Sequence, residues 1–443
     1  MKNLQNTKKL IEEQKEQLAQ ISLREKLISH LLNAKQENKF VYQYFETLSN
    51  DFLPFVTSQG QLETFQTLKS IGEKLIIIAS NPSFHQKTVV AIAGGFSAGK
   101  SAFINSLIED KSIRLPTDIN PTTAIPTYIL NGENSLKALS SKGGIVELDK
   151  IDPNFHFKLS HQFISQFEIN LKSIMPQIFL STPINYEHLC FIDTPGYDPA
   201  VMQSCFTEKD REIAENYVSQ SDALIWIIGL DANGTIPKTD LDFLSNITSE
   251  IKSIYVVLNK ADIRPKSAVE EVLRVIKDTL DDYAIDIAGI CGYSSLDSEE
   301  VCYQGMSLFE FLKKQNKISE KHHCTIDKLY EIKKICHKSI LDEINRRKQL
   351  KKDLERLGIS SVNINLNSDS PVKTNNIQEL IDIKKPKIAL KKLDILILKL
   401  EHAINGCYGI DNKNIQHKYK TLLKNIFKLS FIVFSIKKIL NLT

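Results

Sequence analysis

Residues 94–101 have the types and spacing of a loop that binds phosphate groups. The segment reads Gly-Gly-Phe-Ser-Ala-Gly-Lys-Ser. Glycines let the backbone approach phosphate oxygens without a Cβ in the way, and backbone N–H groups at a helix N-terminus attract negative charge. The lysine can contact the outer phosphates, and the serine hydroxyl can ligate Mg²⁺. The residues expected to contact nucleotide here are Gly94, Gly95, Phe96, Ser97, Ala98, Gly99, Lys100, Ser101 and Ala102.

A second element, Asn259-Lys260-Ala261-Asp262, has the residue types of a loop that reads a guanine base. The carboxylate of Asp262 can accept hydrogen bonds from N1–H and the exocyclic N2 amine of guanine. Adenine lacks this pair of donors, so the site would select GTP over ATP. Taken alone, the tetrapeptide is also compatible with a solvated turn. With this element we predict nucleotide contacts at Asn259, Lys260 and Asp262.

A third element, Asp193-Thr194-Pro195-Gly196, stands between the other two in the chain. Asp193 would hold Mg²⁺ through a water molecule, and the N–H of Gly196 would contact the γ-phosphate. Three such elements in this order indicate a nucleotide site.

The segments that position these elements have the pattern of a buried parallel sheet. Apolar runs occur at 88–93, 189–192, 223–228 and 254–258, and amphipathic stretches separate them. Near-continuous apolar strands are typical of parallel sheets that are covered by helices on both faces. Each of the three elements follows one of these runs, at the sheet edge where α/β proteins bind their ligands.

The composition is that of an ordinary globular protein. The chain has 443 residues, 42% of them hydrophobic and 25% charged, which excludes a wholly disordered chain, a collagen and a polytopic membrane protein. This length suggests two or three domains, and the net charge of +3 argues against a dedicated nucleic-acid binder. The odd number of cysteines, without a Cys-x-x-Cys pair, favours a reducing compartment. No signal-peptide core and no spanning run of 18 apolar residues is found.

The three elements resemble the GTP-binding domains of Ras-like GTPases and, within them, the dynamin superfamily, in particular bacterial dynamin-like proteins. The loop 94–101 has the bacterial dynamin-like form with a serine at 97, and the segment Leu115–Thr127 resembles the family's switch region. Thr123 and Asp193 are 70 residues apart, similar to the enlarged dynamin domain. The resemblance covers about 88–300, and the helical flanks match only in arrangement.

This resemblance implies a catalytic set. Thr123, or its neighbour Thr122, would ligate Mg²⁺ through its hydroxyl and position the attacking water through its carbonyl. Ser97 would stabilise charge near the bridging oxygen, together with Lys100. Phe96 stands where eukaryotic dynamins place a polar residue, so the manner of charge compensation stays open.

The resemblance also extends the nucleotide site. Tyr293-Ser294-Ser295 resembles the element that backs the base, which adds Ser294 and Ser295; a plain polar turn is the alternative. The implied cofactor is Mg²⁺, with Ser101, Thr123 and Asp193 as its ligands. No side chain in these motifs is an obvious general base, and Tyr197 stands where Ras-type proteins have a glutamine.

The implied fold is an α/β P-loop GTPase domain with a mostly parallel sheet, plus an α-helical neck or stalk bundle formed by the two flanks. Helical spacing extends over about 4–80 and from 306 onward. We expect N-terminal neck helices at 1–85, a dynamin-type GTPase domain at 86–305, a C-terminal helical region at 306–411, and a basic segment at 412–443.

The segment 412–443 contains seven lysines and no acidic residue, so it carries +7. Because the whole chain carries +3, residues 1–411 sum to −4. An amphipathic basic helix is typical of a membrane-surface segment, and packing into the helical bundle is an equal alternative. The residues expected at the membrane are Lys420, Lys424, Lys428, Phe431 and Phe434.

Together these features predict a cytoplasmic GTPase with low basal turnover, peripheral at the inner face of a membrane. Its expected partners are GTP, a second copy of itself through GTPase-domain dimerisation, and an anionic membrane surface. A second dynamin-like chain is a further possible partner, and no nucleic acid is expected. Two alternatives remain. One is a GTP-dependent factor associated with ribosomes or RNA, and the other is a nucleotide-switched scaffold without significant hydrolysis.

Overall fold

The computed structural model describes residues 2–58, 60–95, 97–117, 125–155, 171–194, 217–218, 221–230, 235–247, 253–357 and 379–410. The chain divides into two compact units. The first combines residues 1–37 with 86–319, and the second combines residues 38–85 with the chain from residue 320 onward.

The first unit is built on a ten-stranded sheet. In chain order its strands are β1 (Thr88–Gly94), β2 (Thr127–Asn131), β3 (Ser135–Leu139), β4 (Ile145–Glu147), β5 (Gln177–Thr182), β6 (Leu189–Asp193), β7 (Ala223–Gly229), β8 (Ile254–Asn259), β9 (Gly289–Ser294) and β10 (Glu299–Gly305). In space the order is β10-β9-β8-β7-β1-β6-β2-β5-β3-β4.

The centre of this sheet is parallel. β1 lies between β6 and β7, and β8 and β9 continue the parallel set. Almost every residue of β1, β6, β7 and β8 is buried, as expected for strands covered on both faces. The four strands expected from the apolar runs are therefore confirmed, and so is the α/β fold with its mostly parallel sheet. β10, β3 and β4 add antiparallel edges.

The described helices are, in chain order, α1 (Lys2–Asn33), α2 (Lys39–Glu46), α3 (Leu53–Thr57), α4 (Leu62–Ser80), α5 (Lys100–Leu107), α6 (Leu148–Ile151), α7 (Leu171–Ile174), α8 (Lys238–Ile247), α9 (Lys266–Asp282), α10 (Leu308–Gln315), α11 (Lys321–Arg356) and α12 (Lys384–Cys407). A π-helical turn, Thr47–Phe52, separates α2 from α3. Two hydrophobic clusters cover the sheet. One contains Phe103 and Ile104 of α5, and the other contains Leu241 of α8 and Leu273 of α9.

Helix α1 belongs to the unit of the sheet, which differs from the expected division at residue 85. Leu23, Leu27 and Leu31 are buried in the cluster that contains α5. The chain after α1 is also held there, because the Ser140 hydroxyl donates to the carbonyl of Ala34 at 2.8 Å. An amphipathic pattern shows that one helix face is buried but not what buries it, so the sequence did not reveal this partner. The second boundary falls at 319 instead of 305, because α10 also packs in this unit.

The second unit is helical. Its long helices α11 and α12 run antiparallel, since Tyr330 donates to Glu401 at 2.9 Å while Lys333 and Asp394 form an ion pair at 2.6 Å. Further along, the Arg347 guanidinium donates to the carbonyl of Asp382 at 2.9 Å. The helical character expected for the flanks agrees with these helices. Within the described residues, no helix has both the length and the apolar character needed to cross a membrane.

Candidate functional site

The phosphate loop begins where β1 ends, and its first glycine lies against the neighbouring strand. Gly94 has φ +145°, and a Cβ built on it would stand 2.1 Å from the backbone oxygen of Ile227 in β7. Only glycine fits this position. The loop then passes through Ser97, with φ +59°, and enters α5 at Lys100. Ala102 follows in the first turn of that helix.

The side chain of Asn259 links the base-reading element to the phosphate loop. It is buried at the end of β8, and its Nδ2 donates to the carbonyls of Ala98 at 3.1 Å and Gly99 at 3.3 Å. The hydroxyl of Ser295 donates to its Oδ1 at 2.7 Å. Gly99 has φ +89°, and a Cβ there would meet Asn259 Nδ2 at 2.3 Å. Asn259 therefore holds three segments of the site together.

Lys100 is buried within the loop. Its ammonium donates to the carbonyls of Gly94 at 3.2 Å and Gly95 at 3.0 Å. Burial lowers the pKa of Lys100 below its ordinary value, and the nearby carboxylates of Asp193 and Asp240 oppose this change. A cation at the N-terminus of a helix is suited to bind phosphate oxygens.

Ser101 and Asp193 meet beneath the loop. The Ser101 hydroxyl donates to Asp193 Oδ2 at 2.8 Å, and both side chains are buried. Asp193 ends β6, which is paired with β1, so the sheet register positions the carboxylate beside the start of α5. A hydroxyl and a carboxylate side by side form a set of hard oxygen donors, the kind that Mg²⁺ prefers.

The base-reading side lies at the ends of β8 and β9. Lys260 has φ +64° and is exposed, and Asp262 is exposed in the short 3₁₀ helix that follows. The hydroxyl of Ser294 donates to Asp297 at 2.7 Å, so it closes the turn between β9 and β10. The structure thus brings the ends of β1, β6, β8 and β9 to one edge of the sheet.

One contact of this edge was not expected from the sequence. Tyr293, the last residue of β9 to pair with β8, reaches the phosphate-loop helix, where its hydroxyl lies 2.9 Å from Ser106 Oγ. Its ring also packs edge-to-face on Phe103, with centroids 5.2 Å apart. Tyr293 stood within the predicted base-backing element, but the pairing with α5 is non-local and leaves no signal in the sequence.

Several predicted residues lie outside the described parts of the chain. They are Phe96, Thr122, Thr123, Gly196, Lys420, Lys424, Lys428, Phe431 and Phe434. Their assigned roles stay predictions.

Comparison with known proteins identifies the family of the domain. A model of the dynamin family matches residues 90–262, the part that contains the phosphate loop, Asp193 and Asn259. This part of the chain is a dynamin-family domain. The predicted family is therefore confirmed for this part of the chain.

Individual relatives are more distant. Dynamin-like protein 1 of Campylobacter jejuni is 25% identical over 373 residues, covering 71% of this chain and 49% of that protein. Dynamin-like protein A of Bacillus subtilis is 27% identical over 177 residues, covering 40% of this chain and 14% of that protein. This chain thus spans less than half the length of each.

A solved structure of an oligomerised bacterial dynamin pair, described as a mechanism for long-range sensing and tethering of membranes, is also similar. It has 21% sequence identity and a TM-score of 0.35, covering 72% of this chain and 49% of that one.

Proposed function

We propose that this chain binds and hydrolyses GTP with Mg²⁺, associates with itself and acts at membranes. One observation carries the nucleotide part of this proposal. The phosphate loop, Asp193 and the base-reading loop meet at a single sheet edge, where Asn259 bonds to both the loop carbonyls and Ser295.

The residues present fit the proposed cofactor. Ser101 Oγ and Asp193 Oδ2 lie 2.8 Å apart, and both are oxygen donors. When bound, Mg²⁺ would neutralise charge on the outer phosphates. Thr123 is the further proposed ligand.

Hydrolysis would proceed by in-line attack of water on the γ-phosphorus, with positioning and electrostatics lowering the barrier. Lys100 supplies a fixed cation beside the loop carbonyls that it now contacts. Ser97, held at φ +59°, would direct its backbone toward the bridging oxygen. Thr123 would position the attacking water, and Asp262 would accept the two guanine donors.

The nucleotide part is tested by phosphate release from GTP and from ATP, measured with wild type and Lys100→Ala. We expect hydrolysis of GTP alone, and a loss of at least about 100-fold in the variant, as for removal of a catalytic charge. Equal hydrolysis by both proteins would show that the assigned site is wrong. Binding of GTP without hydrolysis would favour the nucleotide-switched scaffold, and stimulation by ribosomes would favour the RNA-associated factor.

Self-association is proposed because the domain is of the dynamin family and its motif residues include no evident general base. Groups from a second copy would complete the site. Specific activity should then rise with protein concentration. A specific activity that stays constant over a wide concentration range would contradict dimerisation of this kind.

Two regions support action at a membrane. One is the lysine-rich segment 412–443. The other is the end of the second unit at which α11 finishes and α12 begins, where residues 343–357 and 379–392 contain eleven Lys and Arg against five Asp and Glu. Four aliphatic side chains are exposed among these charges, namely Leu350, Leu357, Leu380 and Ile388. Exposed aliphatic groups among cations suit an anionic lipid surface.

The membrane part is tested by co-sedimentation with vesicles of anionic and of neutral lipids. Full-length protein, a truncation after residue 411 and a Lys351→Gln/Lys352→Gln variant are compared. We expect wild type to sediment with anionic vesicles only and GTP hydrolysis to rise with them. Absence of sedimentation would exclude direct membrane binding, and the two altered proteins show which basic region is responsible.

A further inference from the structure

Two separate contacts link the base-reading side of the site to the phosphate loop and to its helix α5. The first is Asn259, which belongs to a recognised motif. The second is the contact between Tyr293 and α5, which belongs to none.

The second contact is a part-buried hydrogen bond whose direction can be assigned. The Ser106 hydroxyl donates its single proton to the carbonyl of Phe103 at 2.6 Å. The Tyr293 hydroxyl must therefore donate to Ser106 Oγ across their 2.9 Å separation. Tyr293 is only 1% exposed, and Phe103 packs against its ring, so the orientation of the hydroxyl is well restrained.

Tyr293 stands at the point where β9 loses its partner β8. Asn259↔Tyr293 is the last pair of the β8–β9 ladder. Beyond it, Ser294 still pairs with Glu299 of β10 and its hydroxyl donates to Asp297, while the hydroxyl of Ser295 donates to Asn259. The phosphate loop, in contrast, has bonds of its own, which are made by the side chains of Lys100, Ser101 and Asn259. The phosphate loop thus keeps these bonds when the bond from Tyr293 to Ser106 is removed, whereas residues 294–295 lose a restraint on the residue next to them.

We propose that Tyr293 is a positioning residue for guanine binding, which fixes residues 294–295 relative to α5 through its hydrogen bond to Ser106. The inference rests on the proposed binding of GTP. Tyr293 should therefore contribute to the affinity for the guanine base and should not contribute to the affinity for the phosphates.

The test compares a ligand that has a base with one that has none. A fluorescent GTP analogue is displaced from full-length protein by GTP or by inorganic tripolyphosphate. In Tyr293→Phe we expect the affinity for GTP to fall about fivefold, the ratio that corresponds to one neutral hydrogen bond. The affinity for tripolyphosphate should stay within about twofold. Ser106→Ala removes the other end of the same bond and should give the same result, and the double variant should be no weaker than either single one.

Tyr255→Phe is the matched control. Tyr255 is a buried tyrosine of the neighbouring strand β8, and its hydroxyl donates to the carbonyl of Met306, outside α5, at 2.9 Å. We expect it to leave the affinity for both ligands unchanged.

The outcomes separate the two proposals. An equal loss of affinity for GTP and tripolyphosphate in Tyr293→Phe, or no loss for GTP, would overturn the positioning role. Wild-type protein that does not prefer GTP over ATP would instead refute the proposed function itself.

Discussion

Two neighbouring glycines of the phosphate loop should differ strongly in how much stability the protein loses when each is changed to alanine. Gly94 and Gly95 are the first two residues of the loop, and each is changed to alanine in a separate variant. At Gly94 the added Cβ would lie 2.1 Å from the Ile227 oxygen and 3.1 Å from the Ile227 nitrogen, both of them backbone atoms of β7. At Gly95 nothing lies within 4 Å of the added Cβ.

The size of the effect follows from these distances. The contact at Gly94 is almost 1 Å shorter than Cβ atoms tolerate, and a strand backbone cannot rotate aside as a side chain can. Overpacking costs about 1–3 kcal/mol, and a non-glycine residue in this φ region costs about another 1–3 kcal/mol. We expect Gly94→Ala to lower the free energy of unfolding by about 4 kcal/mol, a large share of the roughly 5–15 kcal/mol of a typical domain. Gly95→Ala should stay within about 1 kcal/mol of wild type.

Trp226 makes the measurement specific. It is the only tryptophan in the chain, it is fully buried in β7, and its register partner in β1 is Ala93, next to Gly94. Urea unfolding without nucleotide, followed by tryptophan fluorescence, therefore reports on the sheet. A Gly94→Ala protein as stable as wild type, or a Gly95→Ala protein destabilised as strongly, would refute the close-approach argument.

Three further changes test the chemistry of this edge. Asp262→Asn exchanges a carboxylate acceptor for an amide donor, so the preference should shift from GTP toward xanthosine triphosphate, whose base has a carbonyl where guanine has its N2 amine. Competition binding of the two nucleotides measures this shift. Asn259→Asp places a carboxylate against the carbonyls that Nδ2 now contacts, so calorimetry should show GTP affinity reduced at least about tenfold. Burial raises the pKa of Glu300, so the folded state keeps this proton to higher pH than the unfolded chain does. Stability should therefore fall as pH rises through and above the ordinary carboxyl range, and Glu300→Gln, which keeps an acceptor for the Leu308 N–H, should flatten that fall in unfolding measured from pH 4 to 8.

The residues that could be predicted from the sequence are those fixed by local rules. A strand, a glycine loop and a helix N-terminus are consecutive in the chain, so Gly94, Lys100 and Ser101 could be recognised together. Asp193 could be placed because it ends an apolar run that must be a central strand. The bond from the Ser294 hydroxyl to Asp297, by contrast, could not be distinguished in the sequence from a contact with the base.

The residues that escaped prediction act through non-local pairing. The antiparallel strands β3, β4 and β10 are short or only partly buried, so the sequence has no continuous apolar run at these positions. Tyr293 was placed in the base-backing element, and only the packing of α5 against β9 makes its hydroxyl a partner for Ser106. Asn259 was recognised as part of a base-reading loop, but its bonds to the phosphate loop depend on the register of β8 beside β7 and β1.

Helix α1 shows why domain limits are harder to predict than sites. Its sequence is amphipathic, and such a face is equally suited to a helical bundle or to the side of a sheet. The structure chooses the sheet, because Leu27 and Leu31 join the same core as Phe103 of the phosphate-loop helix. The chain must then leave this unit after residue 37 and return to it at residue 86.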